Sequence, residues 1–363
     1  MVEDGGSWQD RVGGSGDSAY GKWQKEEGIP IHRGAFADLT AVEVAPWPRV
    51  GQPGAFVNLA GQEEDDGWVI EIAPQGKTEV LHHCFEASYY VLDGQGGTLF
   101  WQQGGARETV EWKRGSVFSP PVNCYYQLFN ADSSQPARLY AMTNAPMIIN
   151  QFRNLRFVFD NPFVFDDRYD GSPGFFQREG EYMGNVWKTN FIPDIRTLPH
   201  PSGSERRDGD GRGLGASGRQ FLLSNNQSVG HGSQFPAGTY KRAHRHGVGA
   251  HVIIVDGQGY SLLWFEGGER SRVDWKSGTV LSPREWEYHQ HFNTGTTPTR
   301  YVAFRLGALD TRRPERGVGW NTQAEVMGIP YDREDPDIYD EYYAECQAKG
   351  VHVELPRPNY ATA

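Results

Sequence analysis

The sequence predicts an all-β protein built from two tandem copies of one small barrel. Three observations carry that expectation. Glycine and proline number 45 and 22 in 363 residues, a share that suits short strands and many turns rather than long helices. Residues 81–130 align with residues 244–293 at a constant offset of 163, without a gap, and 22 of the 50 positions are identical. Within each copy, short apolar runs alternate with turn signals at regular spacing, the pattern of a sandwich or small barrel rather than of a parallel α/β sheet.

The elements follow in chain order. Residues 1–49 are expected to form an N-terminal arm, extended over its first 25 residues. Residues 50–148 are the first barrel, 149–219 a linker, 220–310 the second barrel and 311–363 a C-terminal extension. In the second copy the run 250–255 closes at the turn Asp256-Gly257, 259–265 follows, and Gly267-Gly268 turns the chain again. The segment 270–275 then leads to the turn Lys276-Ser277-Gly278, with further strands near 279–282, 287–293 and 299–306. Identities between the copies fall on this punctuation: Asp93-Gly94-Gln95-Gly96 on Asp256-Gly257-Gln258-Gly259, Gly115 on Gly278, Pro120 on Pro283. Two tryptophan pairs, Trp101/Trp264 and Trp112/Trp275, align as well. The linker carries Phe157, Phe159, Phe163 and Phe165, then a polar stretch from Ser202 to Gly215 that reads as a mobile surface loop. Asp335-Pro336 opens and Gly350 closes one helix over 337–349.

A net charge of −11 argues against a nucleic-acid partner. The three cysteines, Cys84, Cys124 and Cys346, do not make a disulfide framework and suit a reducing cytosol. The first residues are polar and acidic, without the apolar stretch of a signal peptide, and no apolar run approaches the roughly 20 residues that cross a bilayer. The expectation is a cytoplasmic protein with no membrane partner.

The chemistry lies in the second copy. His244 and His246 are two apart on an expected strand, so both side chains share a face and Arg245 takes the other. About forty residues on, His289 begins the segment His289-Gln290-His291. Imidazoles from two distant strands converge only if the sheet closes on itself, as a small barrel does. Three neutral imidazoles leave about half of a metal's coordination sphere open. The first copy is the internal control. His83 aligns with His246, but Leu81 replaces His244, Tyr126 replaces His289 and Leu128 replaces His291. Two of three ligands are gone there, and His82 points away from His83. Cys84 and Cys124 lie close to that degenerate site. His251, one residue past Ala250, is sent outward by alternation and reads as a surface or interface histidine.

Gly238, His244, His246, Ala250 and Gly257 resemble the first cupin motif in spacing, and Pro283, His289 and Asn293 resemble the second. The region 50–310 is therefore similar to a bicupin, two double-stranded β-helix barrels in tandem. Ala250 stands where cupins with a three-His, one-Glu site, such as oxalate decarboxylases, place a carboxylate. His244-Arg245-His246 with Ala250, and the ending His289, His291, Asn293, instead resemble the gentisate and salicylate 1,2-dioxygenases. Those are ring-cleaving bicupins with a three-histidine iron site. The resemblance implies His244, His246 and His289 as metal ligands and His291 as an acid/base group beside the substrate. The arginine that grips the substrate carboxylate in those enzymes is Val252 here, and their metal normally sits in the N-terminal barrel. Arg242, on the face of His244 by alternation, and Arg305 on the last strand are candidate replacements for that anchor. Trp286 either walls the substrate pocket or caps the barrel.

The expected function is that of a mononuclear Fe(II) dioxygenase that cleaves a C–C bond of an oxygen-bearing, aromatic small molecule; Mn, Ni or Zn are the other metals considered. A non-oxidative metal-dependent lyase, isomerase or hydrolase and a metal-containing binding protein are the rival readings. The expected partners are the small-molecule substrate, dioxygen and further copies of the chain in a homodimer or larger assembly.

Overall fold

The computed structural model describes residues 18–59, 63–183, 186–198, 213–246, 249–306 and 328–360. The copy-two strands fall where the turn signals place them: His251–Asp256, Gln258–Trp264, Ser271–Lys276, Thr279–Leu281, Tyr288–Asn293 and Thr299–Arg305. Each copy folds into a large sheet facing a three-stranded one. In the second, Gln258–Trp264 pairs antiparallel with both Ser271–Lys276 and Tyr288–Asn293. The large sheet runs through Ser217–Leu223, Val229–Phe235, Thr299–Arg305 and His251–Asp256. The first copy repeats this plan with Gln95–Trp101 between Glu108–Lys113 and Tyr125–Asn130.

The shared glycines have a physical reason. A side chain on Gly96 would lie 2.0 Å from the Phe129 carbonyl oxygen, and one on Gly259 1.9 Å from that of Phe292. The strands of the small sheet approach too closely there for any Cβ.

Each sandwich closes over its own core. Phe56, Ile70 and Tyr89 of the first large sheet meet Phe100 and Leu128 of its small sheet. Val252, Ile254 and Ala303 meet Leu263, Val273 and Trp275 in the second. A third core joins the two large sheets back to back, with Val57, Val69 and Met142 against Ile253, Val302 and Phe304.

One expectation needs correction. Residues 19–49 are not a free arm. Ala19–Glu27 is a helix, capped by Ser18 and stopped at Gly28 with φ +70°. Ile31–Gly34 then pairs with Gln52–Leu59 of the first barrel. Phe36–Asp38 crosses over to pair with Thr279–Leu281 of the second, while Phe191–Ile192 of the linker pairs with Val117–Phe118 of the first. The barrels thus exchange edge strands. Of the two readings of His251, surface or interface, the interface holds: it is fully buried between the two large sheets. Its Nε2 donates to Asp65 Oδ1 at 3.1 Å, and Tyr140 Oη donates to its Nδ1 at 2.6 Å. All three cysteines are free.

Most of the polar stretch 202–215 and residues 311–327 lie outside the described residues. The C-terminal helix spans Pro336–Ala348, capped by Asp335. Through Ile338, Tyr339, Tyr342 and Cys346 it covers Tyr240, Tyr260 and Phe292 on the outer face of the second small sheet. Among the described residues no helix is long and apolar enough to cross a membrane.

Candidate metal centre

His289 and His291 face inward from Tyr288–Asn293 because side chains alternate along a strand; Gln290 faces out. His244 reaches the same interior from outside any regular strand. It forms an isolated antiparallel bridge with His289, through His244 N to His289 O at 3.1 Å and His289 N to His244 O at 2.9 Å. The ring centroids of His244 and His289 are 4.2 Å apart, those of His246 and His289 4.9 Å. One ring nitrogen from each of His244, His246 and His289 lies within 4.8 Å of the others.

The hydrogen bonds set which nitrogens can act as ligands. His289 Nδ1 lies 3.1 Å from the Glu287 carbonyl oxygen and His244 Nδ1 lies 3.2 Å from that of Arg242. A carbonyl only accepts, so Nδ1 carries the proton in both rings and Nε2 keeps its lone pair. Burial holds His289 neutral, its pKa pulled down to about 4. A donor set of three imidazoles suits a divalent transition metal. Ala250, buried, supplies no carboxylate.

His291 is held differently. Its Nδ1 lies 2.7 Å from Ser261 Oγ, and that oxygen accepts from Trp275 Nε1 at 2.9 Å. The serine hydrogen can then donate to Nδ1, an arrangement that puts the His291 proton on Nε2. Burial, followed by electrostatic repulsion from the neighbouring His289, Lys241 and His246 side chains when protonated, keeps this ring well below the usual histidine range. The same hydroxyl–tryptophan pair occurs in the first copy as Thr98 and Trp112, at 3.1 Å.

Arg242 is not where alternation from His244 puts it. Tyr240 pairs with Phe292, yet His244 pairs with His289, so one extra residue is accommodated between the two bridges. That bulge reverses which side chains face in. Lys241, unmarked by the sequence, turns inward, buried, with Nζ 2.7 Å from both Ser233 Oγ and Tyr301 Oη. Arg242 lies over the Tyr331 ring at 5.8 Å, and its charge acts on Glu334.

Arg305 is buried, and alternation puts it on the face of Thr299–Arg305 that carries Tyr301 and Ala303 into the interior. Trp286 stands at the rim, 42% exposed with φ +61°, its N–H donating to the His246 carbonyl at 2.9 Å. His231, also overlooked, is buried opposite Ala303, with its ring 5.6 Å from Tyr301; Tyr301 in turn is 5.7 Å from His291. Only the paired Trp–hydroxyl positions, aligned in both copies, could have signalled any of these additions.

Among the described residues the first copy brings no comparable group of ligands together. Tyr89 and Tyr126 hydroxyls are 3.1 Å apart, Tyr126 Oη is 2.7 Å from His83 Nε2, and His83 Nδ1 is 2.7 Å from the Phe85 carbonyl. The carbonyl fixes the direction of the chain: Nδ1 donates, so Nε2 accepts from Tyr126. The one imidazole at this position has its lone pair already engaged. Outside it lies a cleft of about 490 Å³ lined by Leu81, His83 and Tyr126 with Trp47, Trp68 and Arg49.

No protein-family model matches the sequence. Solved structures share the fold. A variant of oxalate decarboxylase from Bacillus subtilis is 12% identical, with 75% of this chain and 76% of that chain covered and a TM-score of 0.50. A second structure of that enzyme, from a study of its Mn(II) centres, is 13% identical over the same shares, also at 0.50. Vicilin from Capsicum annuum is 14% identical, covering 76% of this chain and 86% of that chain, with a TM-score of 0.51. These are bicupins, and the chain has the bicupin fold; at such identities the likeness carries nothing about activity.

Proposed function

We propose that this bicupin-fold chain is a mononuclear metal enzyme working in its second barrel, and that its reaction is oxidative cleavage of a small oxygen-bearing molecule with Fe(II) as cofactor. The observation that supports the reading best is the triad itself. His244 and His289 have Nδ1 committed to backbone carbonyls, so lone pairs on Nε2 face a common point with His246, while Ala250 leaves the place of a fourth protein ligand empty. Held by His244, His246 and His289, Fe(II) would supply the redox chemistry that couples an oxygen-bearing substrate to dioxygen.

The chain's own residues give this site its polarity. Lys241 and Arg305 put positive charge in the interior, which favours an anionic substrate, a carboxylate or phenolate on an aromatic ring. His291 presents an Nε2–H that can donate to a substrate oxygen and return the proton later in the reaction, with Ser261 and Trp275 fixing the ring. Tyr301 lies between Lys241 and His291 and fills the remaining wall. Phe152, Leu155, Phe157 and Phe163, exposed on the segment after the first barrel, offer an apolar surface for self-association into a homodimer or larger assembly.

The test is oxygen uptake by anaerobically Fe(II)-loaded protein given hydroxybenzoates and catechol-like acids. Consumption that tracks substrate and disappears in His289→Ala supports the reading. Turnover of the same compounds under argon overturns it in favour of a non-oxidative metal-dependent lyase, isomerase or hydrolase. Saturable binding without turnover makes the chain a binding protein.

A further inference from the structure

We propose that the C-terminal segment 328–342 is a positioning element for the histidine triad, acting chiefly through the buried carboxylate of Glu334. The inference rests on the metal site described above and concerns a part of the chain that touches neither metal nor substrate.

The two stretches that carry the ligands are weakly joined. Residues 239–244 and 288–293 pair through four backbone hydrogen bonds grouped at the isolated bridges Tyr240–Phe292 and His244–His289, with the bulge between them. A bulged edge twists and shifts more readily than a regular ladder. The C-terminal segment is built across this gap. Gly328 forms a bridge with His244, and Ile329 N donates to the Ala243 carbonyl at 2.9 Å. Tyr331 Oη donates to the Tyr240 carbonyl at 2.6 Å.

Glu334, 5% exposed, then accepts from Tyr240 Oη on one stretch and from Gln290 Nε2, at 2.9 Å, on the other. Gln290 is the residue between His289 and His291. One rung further on, the Tyr342 hydroxyl lies 3.1 Å from the Thr239 carbonyl oxygen and 2.8 Å from that of Asn293, again one partner on each stretch.

The first barrel shows that the fold does not need this clamp. It has the same two bridges at the same offset, Lys77–Phe129 and Leu81–Tyr126, and hence the same bulge. There the counterpart of Gln290, Gln127, closes the gap directly, its Nε2 donating to the Thr78 carbonyl at 2.6 Å. The counterpart of Tyr240 is the exposed Lys77. Only the barrel with the triad has its glutamine turned to an outside carboxylate. A side-chain contact that fixes ligand orientation from behind is worth about ten- to a hundredfold in metal affinity in other sites.

The experiment titrates the full-length chain, stripped of metal by chelation, with Co(II), and reads affinity together with the visible ligand-field spectrum. Circular dichroism confirms that each variant is folded. Glu334→Ala should weaken Co(II) binding about tenfold or more and shift the bands. Glu334→Gln should stay within about threefold of the parent. Gln290 Oε1 has no partner among the described residues, so its amide can flip to accept from the new side chain. Tyr342→Phe, the milder change, should move affinity the same way as Glu334→Ala, and Gln127→Ala in the first barrel should leave it unchanged.

Parental affinity and spectrum in folded Glu334→Ala, or in Tyr342→Phe if the alanine variant does not fold, overturns the proposal. So does a glutamine variant as weak as the alanine one. A parent protein that binds no Co(II), or a His289→Ala variant that keeps it, defeats the metal-site reading and this inference together. Failure of the clamp alone leaves the metal-site reading standing.

Discussion

If the first barrel is silent only because two ligands are missing, then Leu81→His with Tyr126→His should give it a metal. The frame is already in place. Leu81 and Tyr126 form the same antiparallel bridge that holds His244 against His289. His83 has Nδ1 bound to the Phe85 carbonyl, so its Nε2 becomes a ligand once the Tyr126 hydroxyl is gone.

The apo variant should be much less stable. Leu81, 6% exposed, gives up roughly 2 kcal/mol of apolar burial. Losing the Tyr126 bonds to His83 and Tyr89 removes about 1 kcal/mol each. The smaller ring leaves a void beside Phe100 that costs about 1–2 kcal/mol more. The sum, about 5–6 kcal/mol, is a large part of the stability of an ordinary domain. Metal at about a thousand times its dissociation constant returns about 4 kcal/mol.

Chemical denaturation with chelator should therefore show a deep loss of stability that Co(II) largely restores. Elemental analysis should rise from one ion per chain to two. A folded double variant that still binds a single ion would refute the explanation. Something other than the absent imidazoles, such as Phe85 stacked 3.8 Å from His83, would then be what keeps the barrel empty.

Three further outcomes are expected. Purified parent protein should hold about one transition-metal ion per chain, lost in His244→Ala and His289→Ala and kept in His83→Ala; metal loss in the His83 variant would reverse the assignment of the two copies. His291→Ala should keep its metal and lower turnover roughly a hundredfold, the scale of a lost acid/base group, and loss of metal instead would exchange the roles of His289 and His291. Burial raises the carboxyls of Asp66 and Glu334 to about 7, above their unfolded values near 4, so the folded state binds more protons than the unfolded one between those limits. Stability should accordingly fall as pH rises through that window, by about 4 kcal/mol for each group, and urea melts of Asp66→Asn should show a shallower slope; an unchanged slope would clear Asp66 of the effect.

The parts of this fold legible in the sequence were those written in local punctuation. Asp256-Gly257 and its copy at Asp93-Gly94 forced turns, Gly96 and Gly259 marked close backbone approach, and the spacing of His244, His246 and His289 drew the triad together. What escaped was set by register rather than residue type. The bulge between Tyr240 and His244 has no signature of its own, yet it carries Lys241 in and Arg242 out. Ser18 and Gly28 did mark the ends of the helix Ala19–Glu27, but the polar composition of the preceding residues outweighed them in the reading of an arm. The strand Phe36–Asp38 is three residues long and owes its conformation to a partner more than two hundred residues away. Glu334 is one acid among many until tertiary structure buries it.

The repeat also explains why a barrel that lacks the triad persists. Both copies share the bulge and the hydroxyl–tryptophan bond, so the frame is common and only a few inward side chains differ. In the first, those side chains close a fully satisfied hydrogen-bond chain inside a core of large aromatics, which stabilises the barrel. In the second, they leave an interior lined by histidines, Lys241 and Gln220, whose Oε1 has no partner among the described residues. A buried polar atom left unpaired costs about 1–3 kcal/mol, the kind of local cost that binding sites carry and the surrounding structure must offset. The first barrel is placed to do this. It covers the apolar back of the second large sheet, ties its strand at His251 through Tyr140 and Asp65, and the Phe36–Asp38 strand leading into it closes the second barrel's edge. The copy without the triad is the support against which the polar one can hold its histidines in place.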